Sequence, residues 1–260
     1  MKIPSPNRFK DRSVIRGVLF DAGGTLIEPR QPVGEIYATI AAEFGQVVDP
    51  EQLQDNFHRY FPLQPGLAFP PGLPLVQLQQ LEMGWWRNLV RDVFADQGPF
   101  PQFEPFFIRL YHSFESADLW RLIDGVVPTL EVLGQRGLIL AIASNFDSRL
   151  FAILQNLELS RYFRTVRISS MCGNAKPAPQ LFKSVLQELG LKPEESVHIG
   201  DSWREDIQGA LGVGMIPVLL DRHRRFIDNP SLTDGQIIRI ERFEDLAEID
   251  LLQHSINDRQ

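Results

Sequence analysis

Apolar positions along the chain follow two rhythms. Short unbroken runs at Val14-Ile15-Arg16-Gly17-Val18-Leu19-Phe20, Leu138–Ala143, Thr165–Ile168, Val197–Ile199 and Ile216–Leu220, with a weaker one at Ile237–Ile240, read as strands buried on both faces. Between them, apolar residues recur at helical spacing. Val126–Arg136 starts from Asp124 with Pro128 in its first turn and closes at Gly137. Phe151–Leu157 and Leu181–Leu189 follow, the second ended by Gly190, and Trp203–Leu211 starts after Ser202, a suitable capping residue. This alternation predicts an α/β fold with a doubly wound, Rossmann-like parallel sheet.

Residues 30–119 break the alternation. Ile36, Ile40 and Phe44 make one helical stripe, and Leu53, Phe57 and Tyr60 a second. Leu78, Leu81, Trp85 and Leu89 make a third, and Phe103, Phe106, Phe107, Leu110 and Phe114 a fourth. A proline-rich loop, Phe61–Pro74, lies among them. The pattern predicts an all-helical domain at 30–119 inserted into a discontinuous core domain of residues 1–29 and 120–260.

Composition narrows the class. The 260 residues are 43% hydrophobic and 23% charged, enough apolar material for a core and unlike a disordered chain. A net charge of −7 offers no basic face for nucleic acid. No apolar run approaches the ~18 residues of a membrane span. Met1–Ser13 mixes charges with two prolines and lacks an apolar stretch, so no targeting signal is expected. The polar tail His254–Gln260 is expected to fray. Cys172 is the single cysteine and cannot pair internally. A cytoplasmic location is the simplest expectation.

In open α/β sheets, ligands bind beyond the carboxyl ends of the strands, at the switch point. The predicted strands are followed there by Asp21 and a glycine turn through Thr25, by Ser144-Asn145, by Lys176-Pro177, and by Gly200-Asp201-Ser202 with Asp206. Asp21 and Asp201 would repel unless a cation sits between them, and Mg²⁺ suits hard oxygen ligands and phosphate. Asp206 would hold a metal-bound water or act behind the ligands. Lys176 would neutralise phosphate charge. Thr25, Ser144, Asn145 and the N–H groups of the glycine turn, including Gly24, would hold its oxygens. A carboxylate in this setting can also attack phosphorus and form an aspartyl-phosphate.

The ordered set Asp21-x-x-Gly24-Thr25, Ser144-Asn145, Lys176-Pro177 and Gly200-Asp201-Ser202-x-x-x-Asp206 resembles the haloacid dehalogenase superfamily, with the helical insert in the place of its C1 cap. Pro32-Val33-Gly34-Glu35-x-Tyr37-Ala38 and Ser144-Asn145-Phe146-Asp147 resemble its rhythmically-expressed-gene-like branch. The resemblance implies a hydrolase with Asp21 as nucleophile and metal ligand. It implies a backbone carbonyl from Gly23 to Mg²⁺, Asp201 and Asp206 as acidic-loop metal residues, and Lys176 as the charge-stabilising lysine. Thr25 and Ser144 match positioners of phosphate or nucleophile.

One position departs from the family's phosphatases. Their second aspartate, two residues after the nucleophile, is Gly23 here. That residue serves as general acid and base, a role typically giving ~10²–10⁴-fold in rate. The expected function is a Mg²⁺-dependent phosphatase acting on a small phosphate ester. The alternatives are a phosphate- or metal-binding protein on this scaffold, and a 2-haloacid dehalogenase, whose halide leaves without a proton. A phosphonatase would need a cap lysine, and residues 30–119 contain none. His198, inside a predicted strand, reads as a core histidine. The other histidines show no zinc spacing. Cys172 reads as inert. Trp85 and Trp86 are expected to pack in the cap, with one of them a candidate for the cleft. The Gly209–Gly214 spacing follows a helix rather than opening one, so it is no dinucleotide fingerprint.

Overall fold

A computed structural model describes residues 14–232 and 235–253. The two termini discussed above lie outside them. In chain order the elements are β1 (Gly17–Phe20), β2 (Ile27–Pro29), α1 (Val33–Glu43), α2 (Pro50–Tyr60), α3 (Leu75–Val93), α4 (Phe103–Ser113), β3 (Trp120–Leu122), α5 (Val126–Gln135), β4 (Ile139–Ser144), α6 (Arg149–Asn156), β5 (Thr165–Ile168), α7 (Ser169–Cys172), α8 (Pro179–Leu189), β6 (Ser196–Gly200), α9 (Gly209–Val213), β7 (Ile216–Leu220), β8 (Ile238–Ile240) and α10 (Asp250–Gln253).

Six strands form one sheet in the order β5-β4-β1-β6-β7-β8, and every neighbouring pair is parallel. This is the doubly wound α/β order, with the switch point at β1 between β4 and β6. Each residue of β1, β6 and β7 is buried, which is why their sequences run apolar without alternation. One face packs on α5 and α6 through Leu130, Leu133, Leu150 and Ile153. The other packs on α8 and α9 through Leu181, Phe182, Val185 and Ala210. Proline sets the first turn of α8, and Gly190 at φ 62° ends it. No helix among the described residues is long and apolar enough to cross a membrane.

Between β2 and β3 the chain makes α1–α4, which bury their own cluster around Tyr37, Leu53, Leu89, Phe106 and Phe107. Phe94, Phe100 and Phe106 interlock there, with ring centroids 4.9–5.7 Å apart. The root of the insert is an antiparallel ladder pairing Ile27 with Leu122 and Pro29 with Trp120. These strands were not expected from sequence. Three residues are too few to show a period, and a proline ends the first.

Two further elements differ from the sequence reading. Helix α5 begins at Val126 as expected, but Gly125 at φ 81°, not Asp124, occupies its cap position. The expected helix Trp203–Leu211 is split. Residues Trp203–Gln208 form a π-helix capped by the Ser202 side chain, and only then does α9 begin. The Ser202 carbonyl accepts from both Asp206 N–H and Ile207 N–H, widening the turn.

Candidate active site

The carboxyl ends of β1 and β6 bring three carboxylates together. Asp21 continues β1, its N–H donating to the Ile199 carbonyl at 2.8 Å. The chain then turns tightly, with the Ala22 carbonyl accepting from Leu26 and Ile27. Gly24 sits in this turn at φ 78°, and a Cβ there would lie 2.8 Å from the Asp201 carboxyl group. Gly200 is equally committed, since its Cβ would fall 2.1 Å from Asp206 Cγ. Two bare glycines thus let acidic groups pack against backbone. One oxygen from each of Asp21, Asp201 and Asp206 lies within 4.8 Å of the others.

Lys176 tempers this charge. Its ammonium, 3% exposed as a residue, donates to Asp21 Oδ1 at 2.7 Å and Asp206 Oδ1 at 2.6 Å. Burial alone would favour the neutral amine; the charges of Asp206 and Asp21 outweigh it and raise the lysine pKa. Burial would likewise raise Asp206, but Lys176 and His198 hold it well below the usual carboxylate range. Asp21 is raised, chiefly by burial and also by Asp206, against the lowering effects of Lys176 and of a Ser144 hydrogen bond. Asp201 has no lysine. Burial first, then Asp21 and Asp206, push it up to about 7, despite Arg225 at 3.3 Å.

The expected site residues divide by what they touch. Asp21, Gly23, Gly24, Ser144, Asn145, Lys176, Asp201 and Asp206 all line one cavity. Asn145, expected to hold substrate, uses its amide elsewhere. Its Nδ2 donates to the Lys176 carbonyl at 3.0 Å, and its Oδ1 accepts from Lys176 N–H at 2.7 Å. It therefore fixes the lysine. Asp206 is also fully engaged, because its Oδ2 accepts from Ser202 N–H at 3.0 Å. Thr25 departs furthest from expectation: it is fully buried, is absent from the cavity wall, and leaves its Oγ1 without a hydrogen-bond partner. His198 is a core histidine, with its ring edge-on to Phe182 at 4.9 Å. It also reaches Asp206 Oδ1 through Nε2 at 3.0 Å. Burial lowers its pKa, so the neutral ring donates from Nε2.

Residues 15–214 match the family described as haloacid dehalogenase-like hydrolase. The chain belongs to this family. The mouse haloacid dehalogenase-like hydrolase domain-containing protein 3 is 36% identical over 210 residues, covering 78% of this chain and 81% of that protein. The Drosophila melanogaster rhythmically expressed gene 2 protein is 31% identical over 216 residues, with the same coverage, which supports the rhythmically-expressed-gene-like branch. A glyceraldehyde 3-phosphate phosphatase of Methanopyrus kandleri is 32% identical over 164 residues, covering 62% of this chain and 69% of that one. Among solved structures, a Thermococcus onnurineus HAD phosphatase superposes with TM-score 0.60 at 21% identity, covering 90% of this chain and 97% of that one. A Pseudomonas syringae 2-haloacid dehalogenase gives 0.64 at 20%, covering 92% and 98%. The fold alone therefore does not separate the two chemistries.

In this haloacid dehalogenase-like hydrolase the helical insert roofs the cavity, which measures about 590 Å³. Its walls include Tyr37, Phe61, Trp85, Trp86, Tyr111 and Trp120. Trp85 and Trp86 both line the cleft. Trp86 also donates from Nε1 to Asp147 Oδ2 at 2.6 Å, and Trp85 to the Pro65 carbonyl at 2.8 Å.

The hydrolase also carries a buried seam between insert and core that the sequence reading missed. Arg149 binds Asp147 through Nε at 2.9 Å and Nη2 at 2.7 Å, and donates from Nη1 to the Tyr111 carbonyl at 3.1 Å. Its guanidinium lies over the Tyr111 ring at 4.0 Å and the Trp86 ring at 5.0 Å. Glu82, fully buried on α3, accepts from Ser148 N–H at 2.9 Å and from its hydroxyl. The expected stripe residue Leu81 is instead exposed. A second seam joins the Ser169 hydroxyl to the Leu67 carbonyl, and Phe69 N–H to the Ser170 carbonyl. The available signal was Asp147-x-Arg149 directly after a strand-end Ser-Asn, together with an acid in an apolar helix.

Proposed function

We propose that the chain hydrolyses a small phosphate monoester with Mg²⁺, through an aspartyl-phosphate on Asp21. The observation that carries this reading is Lys176 clamped between Asp21 and Asp206, with Asp201 completing the carboxylate group. The donor set fits a hard divalent cation: its oxygens are close, and Asp201 binds a proton abnormally well when nothing else offsets its neighbours. Asp21, Asp201 and the Gly23 carbonyl would hold the ion. Asp206, whose oxygens are already engaged, would position Lys176. When bound, Mg²⁺ supplies charge to counter the phosphoryl oxygens. Lys176 presents Asp21 in one orientation and adds a second positive group. Ser144, on the same cavity wall as Asp21, would orient the nucleophile. Asn145 holds the lysine-bearing loop.

The Methanopyrus relative, named as a phosphatase, supports this direction. Metal-free halide displacement has no use for three crowded carboxylates.

The test is phosphate release from acetyl phosphate and 4-nitrophenyl phosphate, with Mg²⁺ and with chelator. Release should need the metal and fall at least ~10³-fold in Asp21→Asn, with the melting curve still cooperative. Unchanged release in that variant overturns the nucleophile assignment. No release from either compound, with intact folding, moves the reading to a binding protein on the same scaffold.

A further inference from the structure

We infer that the substrate is an aryl phosphate monoester, whose planar aromatic leaving group occupies the chamber beneath the insert; this rests on the phosphatase reading above. Two independent observations select the same class of molecule.

The first concerns the leaving oxygen. In-line displacement at phosphorus sends the leaving group away from Asp21, toward the insert. Position 23 offers no proton there, because it is glycine. A Cβ at 23 would meet only Phe146 Cε2, at 3.9 Å. An apolar ring edge therefore stands beside the place where an acid would act. The Phe146 ring is itself backed by Trp120 at 5.8 Å. An alkoxide leaving unprotonated is poor, its conjugate acid having a pKa near that of water, about 15.7. A phenol-type oxygen has a pKa of about 10 and can leave as the anion.

The second concerns shape and chemistry. The chamber above Asp21 holds about 590 Å³, far more than a phosphate needs. Phe61, Trp85 and Trp86 form a contiguous aromatic group, with centroids 5.0–6.2 Å apart. Arg149 on the same wall is already paired with Asp147. The insert contributes no lysine at all. The polar lining residues Ser202, Arg204 and Glu205 belong to the core side, and Gln64 of the insert already bonds Asp92 at 2.7 Å, so the insert's wall offers little to a sugar's hydroxyls or a second phosphate. It does match a flat apolar ring system, which stacks on tryptophan and phenylalanine faces.

The reaction balances without an added reagent. An Asp21 oxygen bonds to phosphorus, and the bond to the aryl oxygen breaks, its electron pair leaving as aryloxide. The aryloxide takes a proton from solvent. Water then attacks the aspartyl-phosphate, releasing inorganic phosphate and a proton and restoring Asp21.

The experiment compares 1-naphthyl phosphate, cyclohexylmethyl phosphate and acetyl phosphate on the intact chain with Mg²⁺, using 2-naphthol as a competitor that lacks phosphate. The kcat/KM for the naphthyl ester should exceed that for the cyclohexylmethyl ester by about 10²-fold or more. Gly23→Asp should narrow that ratio at least about tenfold, by raising the alkyl rate. Trp85→Ala should raise KM for the naphthyl ester about three- to tenfold, and more than for acetyl phosphate. 2-Naphthol should inhibit competitively, and less well in that variant. Equal turnover of aryl and alkyl esters, with no effect of Trp85→Ala, overturns the inference and leaves the phosphatase reading standing. No phosphate release from any of the three compounds overturns both.

Discussion

The rim of the sheet and the underside of the helical insert enclose one cavity but are built on opposite plans. On the rim, nearly every polar atom is committed: Lys176 to two aspartates, Asn145 to the lysine backbone, and Asp206 to three partners. The insert's wall is aromatic and carries its charge at the seam, where Glu82 bonds Ser148 and Trp86 bonds Asp147. The contrast separates two tasks. In the proposed reaction the rim would fix the reacting atoms by charge and short hydrogen bonds. The roof would recognise by shape, with its polar groups placed where it is tied down.

If the seam is what ties the two regions, removing its central acid should have the largest effect on stability. Asp147→Ala leaves the Arg149 guanidinium buried without its carboxylate and removes the acceptor of Trp86. We expect a loss of about 3–5 kcal/mol, read from denaturant midpoints. A change under about 1 kcal/mol would mean that the Asp147–Arg149 pair is not what holds the insert to the core. On the rim side, Gly24→Ala brings a methyl group against the Asp201 carboxyl and forces a side chain into the left-handed region. It should cost roughly 1–2 kcal/mol and weaken Mg²⁺ at least about tenfold in a calorimetric titration. Affinity equal to the parent's would show that Asp201 is not a ligand.

The smallest effect sharpens the comparison through pH. Asp201 is raised from 3.8 to about 7 in the fold, so the folded state binds the extra proton over that window. Its contribution to stability is therefore fully present below about 4 and is lost as pH rises through 7. Mg²⁺ bound at Asp201 would oppose that loss. The melting shift given by a fixed Mg²⁺ concentration should be larger at pH 8 than at pH 6. An equal or inverted shift would place the metal away from Asp201.

The strands and their chemistry were legible because a doubly buried strand writes itself as an apolar run, and a switch point collects whatever follows. That reading placed Asp21, Lys176 and Asp201 on one rim, where the structure brings them together. The role of Asn145 was not, since a side chain that bonds another segment's backbone leaves no local pattern. Thr25 misled for the same reason: adjacency to a site in sequence does not fix the direction of a side chain. The split at Trp203–Gln208 was hidden because one carbonyl serving two N–H groups leaves the spacing of apolar residues almost unchanged. Asp147 is a near neighbour of Arg149, but the Tyr111 carbonyl and the Tyr111 and Trp86 rings that bury the pair lie on α4 and α3, far away in sequence, so its role at the seam left no local pattern.

The ladder at the root of the insert also bears on how the chain finds its fold. Strands β1 and β4 are neighbours in space, yet the whole insert lies between them in sequence, and closing so long a loop is entropically slow. Once α1–α4 have packed and Ile27–Pro29 has zipped against Trp120–Leu122, the intervening chain acts as a short tether. An insert that folded early would act as a kinetic clasp, bringing the two central strands into reach before the sheet exists.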